Sequence, residues 1–189
     1  MTRTFLALEL PDAVRHALRR KIDHLGRAMP EVRWVDPAGL HLTLAFLGEL
    51  DDERLDAATQ AAADVAGAHA PFTLRLGGVG TFGSARSPRV IWVDVAGERA
   101  RLLQLQAALA DDLEGRGFPR EERPFSPHLT LARIKKPVSD DALTALAQVQ
   151  REPATRLTWQ IEAISVMKSE LARPAARYTA LSRWPLALP

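Results

Sequence analysis

The sequence predicts an α+β fold of two duplicated lobes, with two mainly antiparallel sheets, outer helices and a central cleft. Three observations carry this. Period-two and helix-period apolar patterns alternate along the chain. The order strand, helix, strand, helix, strand occurs twice. The tetrapeptide His-Leu-Thr-Leu opens the second strand of each half, at His41 and again at His128.

In the first half, residues 4–10 alternate and stop at Pro11, as a strand does. Asp12 then caps a helix with Val14, Ala17, Leu18, Ile22 and Leu25 on one face, ending near Gly26. Trp34, Val35 and a turn at Asp36 and Pro37 lead into a strand over 41–47. Asp51 and Asp52 begin an alanine-rich helix through Ala68. Residues 72–76 form a strand, and the glycine-rich stretch 77–88 is a loop between the halves.

The second half repeats the order. Residues 89–95 are a strand with Val90, Trp92 and Asp94 on one side and Ile91, Val93 and Val95 on the other. A helix within 97–115 aligns Leu102, Leu105, Leu109 and Leu113. A loop rich in Arg and Pro precedes a strand over 128–134, and Ser139 caps a helix to Gln150. Residues 156–168 hold one strand or two, and 177–185 add a last one. On this plan each half of the chain is one lobe, and residues 1–189 make a single domain.

The composition fits this size of fold. The chain has 189 residues, 47% hydrophobic and 25% charged, enough to bury a sizeable interior. It has no cysteine, which excludes disulfides and thiolate metal sites. Residues 1–11 are too short an apolar run for a secretion signal and carry Glu9. No stretch reaches the apolar length of a bilayer crossing. A cytoplasmic monomer without membrane attachment is expected. A net charge of +2 says little about partners. Only four of the 25 basic residues are Lys. Arg suits phosphate, but a genome composition rich in Arg and Ala is the simpler explanation.

The repeated tetrapeptide has a physical reading. On a strand, His41 and Thr43 share one face, and Leu42 and Leu44 the other. His128 and Thr130 stand in the same way against Leu129 and Leu131. The leucines pack under the helices of each lobe, and one imidazole and one hydroxyl face outward, about 6.5 Å apart along the strand. If the lobes face each other, two imidazoles flank a phosphorus atom. In-line phosphoryl transfer needs a base on the entering oxygen and an acid on the leaving one, and histidine suits both. The threonines donate to the non-bridging oxygens. A lone strand histidine is more often packing or surface; two at equivalent places reverse that balance. Two histidines also suit zinc, but a catalytic site wants a third protein ligand, and no carboxylate or histidine stands at compact spacing beside either motif. No metal and no cofactor is expected. His16, His24 and His69 read as surface residues.

These residues resemble the two-histidine (2H) phosphoesterase superfamily, specifically its RNA 2′,3′-cyclic phosphodiesterases, also called 2′-5′ RNA ligase-like proteins. The resemblance rests on His41-Leu42-Thr43-Leu44 and His128-Leu129-Thr130-Leu131. It extends to Phe5-Leu6-Ala7-Leu8, to Ala45-Phe46-Leu47-Gly48, to Pro127, to Ala132-Arg133 and to Tyr178, covering essentially the whole chain. It implies a bilobal fold with a cleft site and hydrolysis of a ribose 2′,3′-cyclic phosphate, on an RNA end or a nucleotide, to a 2′-phosphomonoester. It implies His41 as proton donor and His128 as proton acceptor; the two motifs alone do not assign acid and base. It also implies a reverse reaction, joining the cyclic phosphate to a 5′-hydroxyl through a 2′-5′ linkage.

Other residues near the motifs are less decisive. Residues 116–136 hold Arg116, Arg120, Arg123, Arg133, Lys135 and Lys136 against Glu121 and Glu122, an RNA-friendly neighbourhood or simply a solvated loop. The resemblance implies Arg133 as a phosphate clamp, yet strict alternation puts it on the leucine face, unless the strand bulges or twists after Ala132 or Arg133 acts from the strand's end. Phe46 falls on that same leucine face and reads as core. Phe82 and Arg86 lie in the expected loop, where a plain connector is the simpler reading. Tyr178 offers a ring or a hydroxyl. Rival readings are the same chemistry on a nucleotide cyclic phosphate or a 2′-5′ oligonucleotide, an RNA-binding module without turnover, and a scaffold. The intact His41, Thr43, His128 and Thr130 disfavour the binding module, and the lack of an extra apolar stripe in the sequence disfavours the scaffold.

Overall fold

The computed structural model describes residues 1–170 and 176–187. Its strands are β1 (Thr2–Glu9), β2 (Arg33–Trp34), β3 (His41–Leu50), β4 (Phe72–Ser84), β5 (Ser87–Gly97), β6 (His128–Arg133), β7 (Thr158–Ile161), β8 (Ala163–Glu170) and β9 (Arg177–Pro185). Its helices are α1 (Asp12–Ala28), α2 (Asp52–Gly67), α3 (Arg99–Gly115) and α4 (Asp140–Arg151). A short 3-10 turn, Pro37–Gly39, precedes β3, with the Asp36 side chain accepting from the Ala38 N–H.

The strands form two antiparallel sheets. One has the order β3-β1-β8-β9 and the other β2-β6-β5-β4-β7. The α+β class and the two sheets are as the sequence predicts. The halves of the chain, however, are not the lobes. The first half sends β4 into the sheet of the second motif, and the second half returns β8 and β9 to the sheet of the first. The central strands β1 and β5, which flank the two motif strands, thereby gain a second hydrogen-bonded neighbour from the other half.

The expected helix faces are the buried ones. Val14, Ala17, Leu18, Ile22 and Leu25 of α1 are all buried, as are Leu102, Leu105, Leu109 and Leu113 of α3. They join one continuous core with Leu42, Leu44, Leu129 and Leu131 from the motif strands. Ser139 and Asp51 cap α4 and α2 by accepting from the Ala142 and Arg54 N–H groups. Asp12 does not cap α1. The extended Pro11 takes that place, its carbonyl accepting from Val14 and Arg15, while Asp12 sits in the first turn and pairs with Arg15 at 3.3 Å. There the carboxylate favours the helix dipole instead.

The stretch 77–88, expected as a loop, is mostly strand. β4 and β5 make a long hairpin that closes between Ser84 and Ser87. One of its glycines is a packing device. Gly80 lies across from Trp92, and a Cβ there would come 2.3 Å from the indole. The glycine leaves the space into which the indole lies.

Candidate active site

Both motif histidines are oriented by the same local device. The Nδ1 of His41 lies 2.9 Å from the carbonyl oxygen of Gly39, and the Nδ1 of His128 lies 2.7 Å from that of Ser126. A carbonyl only accepts, so Nδ1 carries the proton in each ring. Nε2 is then the nitrogen left to take or give a proton. In each case the anchoring carbonyl stands two residues upstream, where the chain enters the strand.

Aromatic rings hold both imidazoles. Phe5 stacks on His41 at 4.5 Å between centroids and 29° between planes, and Tyr178 meets it edge-on at 4.9 Å. Phe82 meets His128 edge-on at 5.2 Å, and Trp92 lies 6.3 Å away. Tyr178 therefore serves the His41 ring, a role the sequence left open. A Cβ on Gly39 would stand 3.2 Å from the tyrosine ring, so a glycine there keeps the two close. Burial holds the His41 pKa below its ordinary value of 6.5; the Gly39 hydrogen bond opposes this, and the charge of Arg15 adds to it.

A matched irregularity follows each histidine. Across from β1, Thr43 pairs with Ala7 and Ala45 with Leu6, so Leu44 is an extra residue. Across from β5, Thr130 pairs with Trp92 and Ala132 with Ile91, so Leu131 is an extra residue. Both are β-bulges, and each reverses the side on which the following residues fall. Phe46 is therefore not core: it pairs with Phe5 on the histidine face and is 76% exposed. Arg133 pairs with Val90, opposite in direction to the buried Ile91, and lies on the face of His128 and Thr130. Strict alternation fails for both residues for one reason.

His41, Thr43, His128, Thr130, Phe46 and Arg133 line one cleft of about 1530 Å³. The basic segment divides in two. Arg116 is bound by Asp64 and Asp112, and Arg120 by Asp111 and Glu114. Arg120, Glu121 and Glu122 line the cleft too, but Arg123, Arg133, Lys135 and Lys136 are its lining cations from this segment that form no ion pair with a described residue. Arg33, beside Arg133 in the sheet, adds a further cation to that wall. Arg86 sits in the hairpin turn and does not line the cleft; Phe82 does. Among the described residues no three His, Cys, Asp or Glu side chains group as a metal site, and no helix is long and apolar enough to cross a membrane.

The model of the 2′-5′ RNA ligase superfamily matches residues 10–173. The chain belongs to that family. Within the 2′-5′ RNA ligase superfamily, its relatives carry one recurrent description. An RNA 2′,3′-cyclic phosphodiesterase of Geobacillus stearothermophilus is 31% identical over 185 residues, covering 96% of this chain and 56% of that protein. The chain thus spans little more than half the length of that relative. It spans nearly all of the RNA 2′,3′-cyclic phosphodiesterase of Methanothermobacter thermautotrophicus, which is 32% identical over 178 residues, 94% of this chain and 95% of that one. Among solved structures, E. coli LigT complexed with 3′-AMP superposes with a TM-score of 0.76 at 30% identity over 99% of both chains.

The superfamily motifs thus stand on strands β3 and β6, brought to one cleft by sheets that share a core. The two histidines and two threonines singled out by the sequence all line this cleft. The sequence missed Phe46 as a cleft residue and the aromatic floor of Phe5 and Trp92. The signal for Phe46 was present: it stands five residues after His41, as Arg133 stands five after His128.

Proposed function

We propose that this chain is an RNA 2′,3′-cyclic phosphodiesterase, hydrolysing a ribose 2′,3′-cyclic phosphate to a 2′-phosphomonoester without a metal. The observation that carries this is the matched pair of imidazoles. Each has Nδ1 held by a carbonyl, Nε2 left for chemistry, and a threonine two residues on in the same cleft. The relatives named RNA 2′,3′-cyclic phosphodiesterases belong to the same reaction class. The substrates are RNA ends or nucleotides bearing the cyclic phosphate.

In this reading His128 takes a proton from water through Nε2 as the water oxygen bonds to phosphorus. The bond from phosphorus to the 3′ oxygen breaks, and His41 gives that oxygen its proton. Thr43 and Thr130 donate to the non-bridging oxygens as charge builds there. Arg133 holds a phosphate oxygen from the His128 side. A buried His41 favours the neutral ring in the empty site. The negative phosphate raises its pKa on binding, so the donor is charged where it is needed.

The test is hydrolysis of nucleoside 2′,3′-cyclic phosphates and of a cyclic-phosphate-ended RNA in the presence of EDTA. Turnover to a 2′-phosphate that survives EDTA and is lost in His41→Ala and in His128→Ala is expected. Loss of turnover on chelation would remove the metal-free mechanism, and a 3′-phosphate product would remove the proposed leaving group.

A further inference from the structure

The two walls of the cleft carry exposed aromatic rings on both sides of the reacting centre. On the His41 side Phe46 is 76% exposed, and it adjoins Phe5, the ring under His41, at 5.9 Å. On the His128 side Phe82 is 41% exposed. Its ring leans on Trp92 at 5.2 Å and 34° and meets His128 at 5.2 Å and 87°. Across the sheet, Phe82, Val90 and Arg133 stand in one row, so the ring and the cation share one wall. Phe82 is the one large apolar side chain beside His128 that the described residues leave exposed in the cleft.

Packing against Trp92 and His128 accounts for part of that ring, and 41% of the residue still stands open to the cleft. In the reading above the entering oxygen at His128 belongs to water, which needs no aromatic platform. A ring in that place suits an entering oxygen that belongs to a larger flat group. The cleft has the room: about 1530 Å³, against roughly 300–1,000 Å³ for pockets that enclose one drug-sized ligand.

We propose that Phe82 is the stacking platform for a second nucleoside, the one that brings a 5′-hydroxyl to His128, so that the cleft takes a nucleoside on each side of the phosphate. The inference rests on the phosphodiesterase reading and names what selects the acceptor. In the transfer, the 5′ oxygen bonds to phosphorus and its proton passes to Nε2 of His128. The bond to the 3′ oxygen breaks, and that oxygen receives the proton of His41. The product is a 2′-5′ diester with a free 3′-hydroxyl, and no further reactant is needed. Phe46, on the opposite wall, lies where the nucleoside of the cyclic phosphate is held.

The experiment offers 2′,3′-cyclic AMP to the full chain with adenosine or with methanol as the competing alcohol. The 2′-5′ dinucleoside, the methyl ester and 2′-AMP are all measured. Phe82→Ala is expected to lower adenosine transfer relative to methanol transfer at least about fivefold, the lower end of what one base–aromatic stack contributes. Phe82→Tyr, which keeps the ring, restores the ratio. Because the readout is a ratio, any general damage to His128 cancels. An equal fall with both alcohols would mean that Phe82 only packs His128, and would overturn the inference. So would a wild-type protein that shows no preference for adenosine over methanol while still forming 2′-AMP. Absence of 2′-AMP itself would instead sink the phosphodiesterase reading and this inference with it.

Discussion

Leu44 and Leu131 occupy the same place in the two motifs, and each is the extra residue of a β-bulge. Both side chains remain buried, at 4% and 0% exposure. The bulge leaves the leucine in the core and turns the residue two positions later to the histidine face. It therefore adds Phe46 to one pair of motif residues and Arg133 to the other.

Phe46 tests this geometry through stability. A core phenylalanine replaced by alanine costs about 3–5 kcal/mol. An exposed one costs within about 0.5 kcal/mol. Phe46→Ala is expected to leave the denaturant midpoint nearly unchanged and to raise KM for a cyclic nucleotide. A large loss of stability with unchanged KM would return Phe46 to the core.

Arg133 faces the cleft only because of the Leu131 bulge. Arg133→Ala removes a hydrogen bond to a charged group, worth about 1.5–3 kcal/mol, and lowers kcat/KM by roughly ten- to a hundredfold. Arg133→Lys recovers part of this, since a point charge remains but the planar fork is lost. Steady-state kinetics on 2′,3′-cyclic AMP measure both.

In the proposed reaction the two histidines act in one step, so their losses should not add. His41→Ala and His128→Ala are each expected to lower kcat by about 10²–10⁴. The double variant should fall little further. A double loss equal to the product of the single losses would mean that the two rings act independently.

Burial holds the His41 pKa below 6.5 in the folded protein. The unfolded chain then binds a proton at higher pH than the folded one does. Above 6.5 neither state is protonated and the group contributes no pH dependence. As pH falls from 6.5 toward the lower folded value, stability is lost, and below that value the loss is constant. Thermal unfolding of the wild type should show this slope just below 6.5, and His41→Gln should flatten it. In NMR titration the His41 ring should protonate below 6.5 in the free protein and at higher pH with phosphate bound.

Gly80→Ala tests the floor under His128. The new Cβ would meet the Trp92 indole at 2.3 Å, so the ring must move. Overpacking of this kind costs about 1–3 kcal/mol. Trp92 fluorescence and the melting temperature are expected to change together, with a loss of activity through Phe82 and His128.

Much of the fold was legible because its signals are local. The helix faces of α1 and α3 follow from spacing alone, and Ser139 and Asp51 follow from capping chemistry. The hairpin of β4 and β5 was not legible. Its glycines read as breaks, and the purpose of Gly80 lies across the sheet, at Trp92. Lobe membership was hidden for a similar reason. Which sheet β4 or β8 joins depends on which edge is open, and that is a property of the assembled chain.

The sequence by itself determined the duplicated motif, the four residues His41, Thr43, His128 and Thr130, and the leucines that hold them. These depend on composition and period, which travel along one strand. Only the tertiary structure decided the rest of the site. A bulge exists only relative to a partner strand, so β1 and β5 decide where Phe46 and Arg133 face. A ring stands open to a cleft only when its neighbours leave part of it uncovered, as Trp92 and His128 do for Phe82. Such facts reside in pairing and packing between distant segments, and no pattern within a single segment contains them.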